Sequence, residues 1–348
     1  MNINILASCT LALGLMGCSG NSLNNPLIFP EEITPGEPTD EGDGTAITAS
    51  SPVVVPDDLA FNLANAKIIR GTGGDPDTLL VNISALDATP IEATWQRRPA
   101  LDIPGYQAFA VQEDALDRLF IGLAATSADG SASAVLAGDG GQFGSYFSGT
   151  KYDREGAYTP PDATAEGPGR GQVSYTGKYA GLLNGGGAGD DLLPIPAGRP
   201  AAPSEAPTQA TQITGDVFVN ANFADDVVNG IVKNRNAIDL DITSDVGSAN
   251  HNDGTGVRME DLNMVPTAIL ANGTFGADLE RGPIKKVVGT YGGAFGGTDA
   301  SSIAGGVHVT DVYNGAGEKI ENALERGVFV LDQCGVTASG GDCIGTAP

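Results

Sequence analysis

Gly215-Asp-Val-Phe-Val-Asn-Ala-Asn-Phe223, Ala224-Asp-Asp226 and Val227-Val-Asn-Gly-Ile-Val-Lys-Asn234 follow one another as apolar run, polar tip, apolar run. β-Branched and aromatic residues fill both runs, and the short acidic tip between them reads as the turn of an antiparallel hairpin. The pattern continues on either side. Gly171 to Gly181 sets Val173, Tyr175 and Gly177 among polar neighbours and ends at Gly185-Gly-Gly187. Further strands are expected at Ile238 to Ile242, Thr267 to Leu270, Gly273 to Leu279, Lys286 to Phe295, Ser302 to Val309 and Gly327 to Leu331. About eight or nine short strands with turns between them make an antiparallel sandwich or barrel. Glycine inside strands suits barrel corners and close backbone approach. Closure would also remove exposed sheet edges.

The first half of the chain carries a less regular version of the same signal. Thr78 to Ser84 and Tyr106 to Gln112 alternate well enough for strands. Leu119 to Thr126 and Ser131 to Ala137 read as a hairpin around Asp129-Gly130, a dipeptide suited to a primed turn. A helix from Glu113 to Ala125 competes, because Leu116, Leu119, Phe120 and Leu123 have helical spacing; the strand is preferred from Leu119 onward. Gly140 to Thr150 brings aromatic residues into a Gly-rich strand or turn. Pro160, Pro161 and Pro168 mark a boundary. The expected organisation is a β-rich domain over 59–165 and a barrel over 171–348. Pro194 to Thr211, rich in Pro and Ala, is expected to be a mobile loop.

Composition narrows the partners. Of 348 residues, 50 are Gly, which disfavours helix, and Lys plus Arg number 18 against 43 Asp plus Glu, a net charge of −25. Such a field repels phosphate, so nucleic acid and anionic lipid surfaces are poor partners while a cationic one would be steered in. A salty habitat or plain solubility accounts for the same charge. From Ser19 to about Asp58, Glu31, Glu32, Glu37, Asp40, Glu41 and Asp43 repel one another and four prolines stiffen the chain, as in an extended stalk.

Ile3 to Met16 is a mostly apolar run too short to span a bilayer as a helix. With Leu15-Met16-Gly17-Cys18 behind it, it resembles a bacterial lipobox, in which residues 1–17 are removed as a signal peptide and Cys18 takes the lipid. Two or more acyl chains make anchoring stable. Residues 18–58 then form anchor and stalk, and Ser19 after the cysteine points to the outer membrane by resemblance to sorting rules. Cys334 and Cys343 remain as a pair spaced to close a Gly-rich loop, and a disulfide is expected in an oxidising compartment.

Three stretches together resemble the transferrin-binding-protein-B-like β-barrel of bacterial surface lipoproteins. Tyr175-Thr-Gly-Lys-Tyr-Ala-Gly181 is similar to its opening strand, and Asn222 to Val232 to its second hairpin. In Val288 to Val307, the residues Gly293, Phe295, Gly297, Ala300, Ile303 and Gly305 fill the places of a motif linking two late strands. The resemblance covers roughly Gln172 to Leu331. It implies an all-β fold with an eight-stranded antiparallel up-and-down barrel, behind which the first domain stands as a smaller, handle-like β unit. It implies an outer-membrane lipoprotein displayed on the cell surface that binds a host protein or an iron carrier.

Catalytic and metal chemistry find little footing. Gly186 to Pro194 fits one copy of a calcium-binding nonapeptide repeat, but such sites need stacked copies, and a plain glycine loop is the preferred reading. Asp239, Asp241 and Asp245 alternate on what would be one strand face, which reads as a solvated barrel face rather than a calcium site. His251 and His308, the two histidines, share no ligand spacing and accompany no nucleophile elbow. No cofactor motif is present. Tyr175, Tyr179, Phe218, Phe223, Phe275, Tyr291 and Phe295 would fill the barrel interior or line a pocket, filling being preferred. The expected function is non-catalytic binding of a protein or nutrient carrier, with Pro194 to Thr211 and Ser244 to Gly256 as candidate ligand loops. A structural envelope lipoprotein without a soluble ligand is the alternative.

Overall fold

The computed structural model describes residues 46–84, 91–163, 171–199, 202–238, 240, 256–282, 284–335 and 343. Cys18, the signal-like run, most of the stalk, Asp239, Asp241, Asp245, His251 and nearly all of Ser244 to Gly256 lie outside them. The fold is all-β and consists of two units.

The first unit is a seven-stranded meander: β1 (Leu63–Ile69), β2 (Thr78–Ile83), β3 (Ile91–Arg97), β4 (Gln107–Val111), β5 (Phe120–Thr126), β6 (Ala132–Asp139) and β7 (Ser148–Arg154). Each strand pairs antiparallel with the next, and the sheet curls into a nearly closed barrel. The predicted hairpin around Asp129-Gly130 forms, and the competing helix does not: Ile121, Leu123 and Ala124 alternate between two packed faces that a helix would not offer. β1 and β3 were not expected. β1 carries Asn65 and Lys67 and is bulged between Leu63 and Asn65, which shifts its pattern by one residue.

The second unit is the expected closed barrel. Its eight main strands are β8 (Gln172–Gly186), β9 (Ala210–Asn222), β10 (Val227–Ala237), β12 (Leu262–Ala268), β13 (Thr274–Arg281), β14 (Lys286–Gly296), β15 (Ser302–Val309) and β16 (Glu325–Gln333), with a two-residue β11 (Val257–Arg258) beside β10. Closure comes from β16 pairing with β8. The hairpin of β9 and β10 turns at 223–226 as predicted, with Asn222 Oδ1 accepting the Ala224 amide at 3.0 Å.

Alternation tells where each face points. β12 and β13 present one buried and one partly exposed face. β15 and β16 are buried almost throughout, because the first unit covers their outer side. Ala304 and Val328 on that side, with Ala180 of β8 and Ala294 of β14, meet Ala108, Ala132, Ala134 and Leu136 of β4 and β6 in one continuous core. Small side chains on both sheets let the backbones approach closely. Gly292, outward on β14, shows the limit: a Cβ there would stand 2.7 Å from the Tyr152 hydroxyl.

Candidate functional site

Among the described residues, aromatic and aliphatic side chains pack the barrel interior. Phe295 is the hub, with Tyr175, Phe223, Phe275 and Tyr158 around it at ring-centroid distances of 5.2–6.2 Å. Six of the seven aromatics singled out in the sequence lie in this core, while Phe218, alternating with the inward Val217 and Val219 on β9, is buried on the barrel's outer face. The motif residues now have mechanical roles. A Cβ on Gly293 would enter the Phe275 ring at 2.5 Å and one on Gly305 the Phe329 ring at 2.3 Å, so each glycine is the floor for a ring on the paired strand. Gly297 has φ of 75° and sits against the Ser301 hydroxyl, a conformation and a closeness no side chain tolerates. The Ala300 carbonyl accepts the Tyr175 hydroxyl at 2.7 Å. Ile303 is fully buried.

The same turn fastens the two units. Asp129 on the β5–β6 hairpin accepts hydrogen bonds from Ser127 (2.7 Å), from the amide and hydroxyl of Ser131, and from Ser301 across the junction at 2.5 Å. Burial opposes its charge, but these donors outweigh it and hold the carboxyl at about 2. Tyr106 adds a second tie, donating to the Lys178 carbonyl at 2.9 Å and accepting the Val330 amide at 3.1 Å.

Two buried ionic clusters occur outside the aromatic core. In the barrel, Arg235 pairs with Glu325 and donates to the Glu260 carbonyl, while Tyr179 donates to Glu325 at 2.6 Å. Burial holds the Tyr179 hydroxyl well above its usual range. In the first unit, Arg118 pairs with Asp139, donates to the Gln142 carbonyl at 2.7 Å and stands 4.7 Å over the Phe147 ring. Burial raises the Asp139 carboxyl. Each cluster consumes its own charges, which makes both of them internal supports.

At the junction, Arg326 donates to the Asp58 and Leu59 carbonyls and lies 4.6 Å over the Phe61 ring. Burial lowers its guanidinium to about 10. His308, outward on β15, faces the same place. Burial first, and then the charge of Arg326, push it down to about 4. It holds no metal partner set, and among the described residues no group of three His, Cys, Asp or Glu side chains is placed to bind an ion. The loop before β9 behaves differently from the mobile ligand loop expected. Thr208 donates from its amide to Gly141 at 3.0 Å and from its hydroxyl to Gly140 at 2.7 Å, and the Phe143 amide donates to Ser204 at 2.9 Å. It is a strap across the two units. Cys334 and Cys343 are bonded to each other, with Cα atoms 5.5 Å apart.

Among the described residues, a recess of about 360 Å³ opens in the first unit, between β1 and β7. Ala66 and Ile68 of β1 and Val135 of β6 supply apolar wall, and Lys67, Lys151 and Asp153 supply charge. The sequence reading missed it, since it exists only because β1 and β7 do not pair along their length.

No protein-family model matches the chain, and no curated protein matches it. Among solved structures the chain is similar to intact Ap-TbpB with its N and C lobes, at 13% identity and a TM-score of 0.31, over 78% of this chain and 46% of that one. It is also similar to two mutant forms of the vaccine antigen Transferrin Binding Protein B from Haemophilus parasuis Hp5. The double mutant is 12% identical and the single mutant 11%, each with a TM-score of 0.34 over 78% of this chain and 45% of that one. The chain spans less than half the length of these structures.

Proposed function

We propose that this protein is a non-catalytic binding protein, anchored to the outer membrane through lipid on Cys18 and displayed at the cell surface, whose ligand is a protein or a carrier of iron or another nutrient. The observation that carries the reading is the recess between β1 and β7, an open concavity on a scaffold with densely buried cores. Rigid sheets that position an open, partly charged surface serve recognition. The lipobox-like Leu15-Met16-Gly17-Cys18 supports the anchor, and the acidic stretch behind it supports a stalk. The ligand class comes from the motif resemblance.

Protease shaving of intact cells, with mass spectrometry of the released material, tests the reading. Release of the region after residue 58, together with a co-purifying protein or iron compound, is the expected result. Full protection in intact cells would place the protein inside the envelope and sink the surface-receptor reading.

A further inference from the structure

We propose that the seam between β1 and β7 is a strand-insertion site, and that its occupant is an extended, carboxylate-bearing segment of another polypeptide. The inference deepens the binding reading above and rests on it.

Six successive antiparallel pairings leave β1 and β7 running in the same direction. An antiparallel meander of seven strands therefore cannot close on itself in the way its eight-stranded neighbour does. The seam is sewn only at one end, where the Asn62 amide donates to the Ser148 carbonyl at 3.1 Å and the Ser148 amide to Asn62 Oδ1 at 3.2 Å. Beyond that the strands part around the recess. One added strand, antiparallel to both edges, would complete an eight-stranded barrel and pair the free backbone groups of β1 and β7. Strand addition at an open edge draws affinity from such main-chain bonds and specificity from alternate side chains.

The walls define those side chains. Ala66 and Ile68 lie on the inner face of β1, opposite Val81 and Leu79, and call for small or apolar residues at alternate positions. Lys67, on the outer face of β1, makes no ion pair among the described residues, whereas Lys151 shares the inner face with Val135 and has Asp153 two residues on along the same face. Arg70 and Arg154 also border the recess, but Arg70 is paired with Asp77 and Arg154 is held by the Asn272 and Ser51 carbonyls. Asp153 and Glu155 are the acidic members of the lining. On a chain of net charge −25, Lys67 makes the outer rim of the seam locally cationic. Because charges more than about 8 Å away are largely screened at physiological salt, the seam and not the whole molecule sets the choice. Edge lysines commonly block strand pairing. Here Lys67 would reject basic or uncharged strands and admit one whose outward carboxylates meet it.

The test uses the full chain and a capped peptide alternating glutamate with valine, seven residues long to match β1. Hydrogen exchange is followed at the amides of 65–69 and 151–154. Slowed exchange on both strands with this peptide, and not with its lysine-for-glutamate counterpart, is the expected result. The variant Lys67→Glu should keep its urea midpoint and bind roughly threefold more weakly, about the worth of one edge ion pair. Three results would each overturn the proposal: no protection of either strand, equal binding of the lysine peptide, or amides already protected and freed by deleting residues 1–45 or by dilution. That last result would assign the seam to the chain's own leader or to a second copy. Failure here together with ligand capture in the shaving experiment would leave the binding reading standing and remove only the seam.

Discussion

Arg235 and Glu325 show what a buried pair asks of its neighbours. Both are shielded from solvent, Tyr179 and the Glu260 carbonyl complete the cluster, and Arg235 Nε has no partner in the structure. Removing one charge leaves the other desolvated and unpaired, so Arg235→Met should cost about 3–5 kcal/mol in urea unfolding. The double variant Arg235→Met, Glu325→Leu should recover most of that loss, since apolar replacement of a whole buried pair is often neutral. His308 gives a pH signature. Its folded-state value of about 4 lies below the ordinary 6.5, so between these values the unfolded chain binds a proton that the folded chain refuses. Stability should therefore fall as pH drops from 6.5 to 4 and gain no further slope from this group below 4. Urea midpoints across that window should show a shallower fall in His308→Gln. Asp129, held at about 2, acts in a separate window: its contribution is lost only as pH falls from 3.8 towards 2.

Among the elements, β16 carries the greatest burden, pairing with both β15 and β8 to close the barrel. The disulfide ties its end, and the Cys334 amide donates to the Ser174 carbonyl at 2.9 Å. Cys343→Ser should lower stability by about 2–3 kcal/mol on the chain-entropy account of a short loop, read as a shift in urea midpoint that reducing agent reproduces in the unaltered chain. The motif turn between β14 and β15 is legible as a motif in the sequence alone. Its reasons are not, because the ring that requires Gly305 to be bare belongs to Phe329 on another strand. The strap before β9 was read as mobile for a related cause. Pro and Ala composition describes local stiffness and polarity, and says nothing of the Gly140-Gly141 backbone that Thr208 reaches.

For the whole molecule, the shared core of the two units predicts joint unfolding. Tyr152, Leu136 and Ala134 of the first unit pack in one cluster with Ala294, Ala304 and Val328 of the second. Gly292→Val would drive a side chain into the Tyr152 hydroxyl and Leu59, an overpacking worth about 1–3 kcal/mol. Near-UV circular dichroism and intrinsic fluorescence, the latter dominated by Trp95 in the first unit, should give coincident transitions in the unaltered chain and separated ones in the variant.

Alternation, turn residues and in-strand glycines were enough to give an all-β chain, the hairpin at Ala224-Asp-Asp226, the later barrel strands and the aromatic filling, because period and turn chemistry are local properties of a strand. The pairing partners were beyond their reach. Whether Gly292-Gly293 faces a ring or a second sheet depends on both at once: Gly293 lies beneath Phe275 inside, and Gly292 beneath Tyr152 outside. A one-residue bulge in β1 hid a strand, and an odd strand count left the seam open. Contacts and closures of this kind join residues far apart in the chain, and only the packed sheets bring them together.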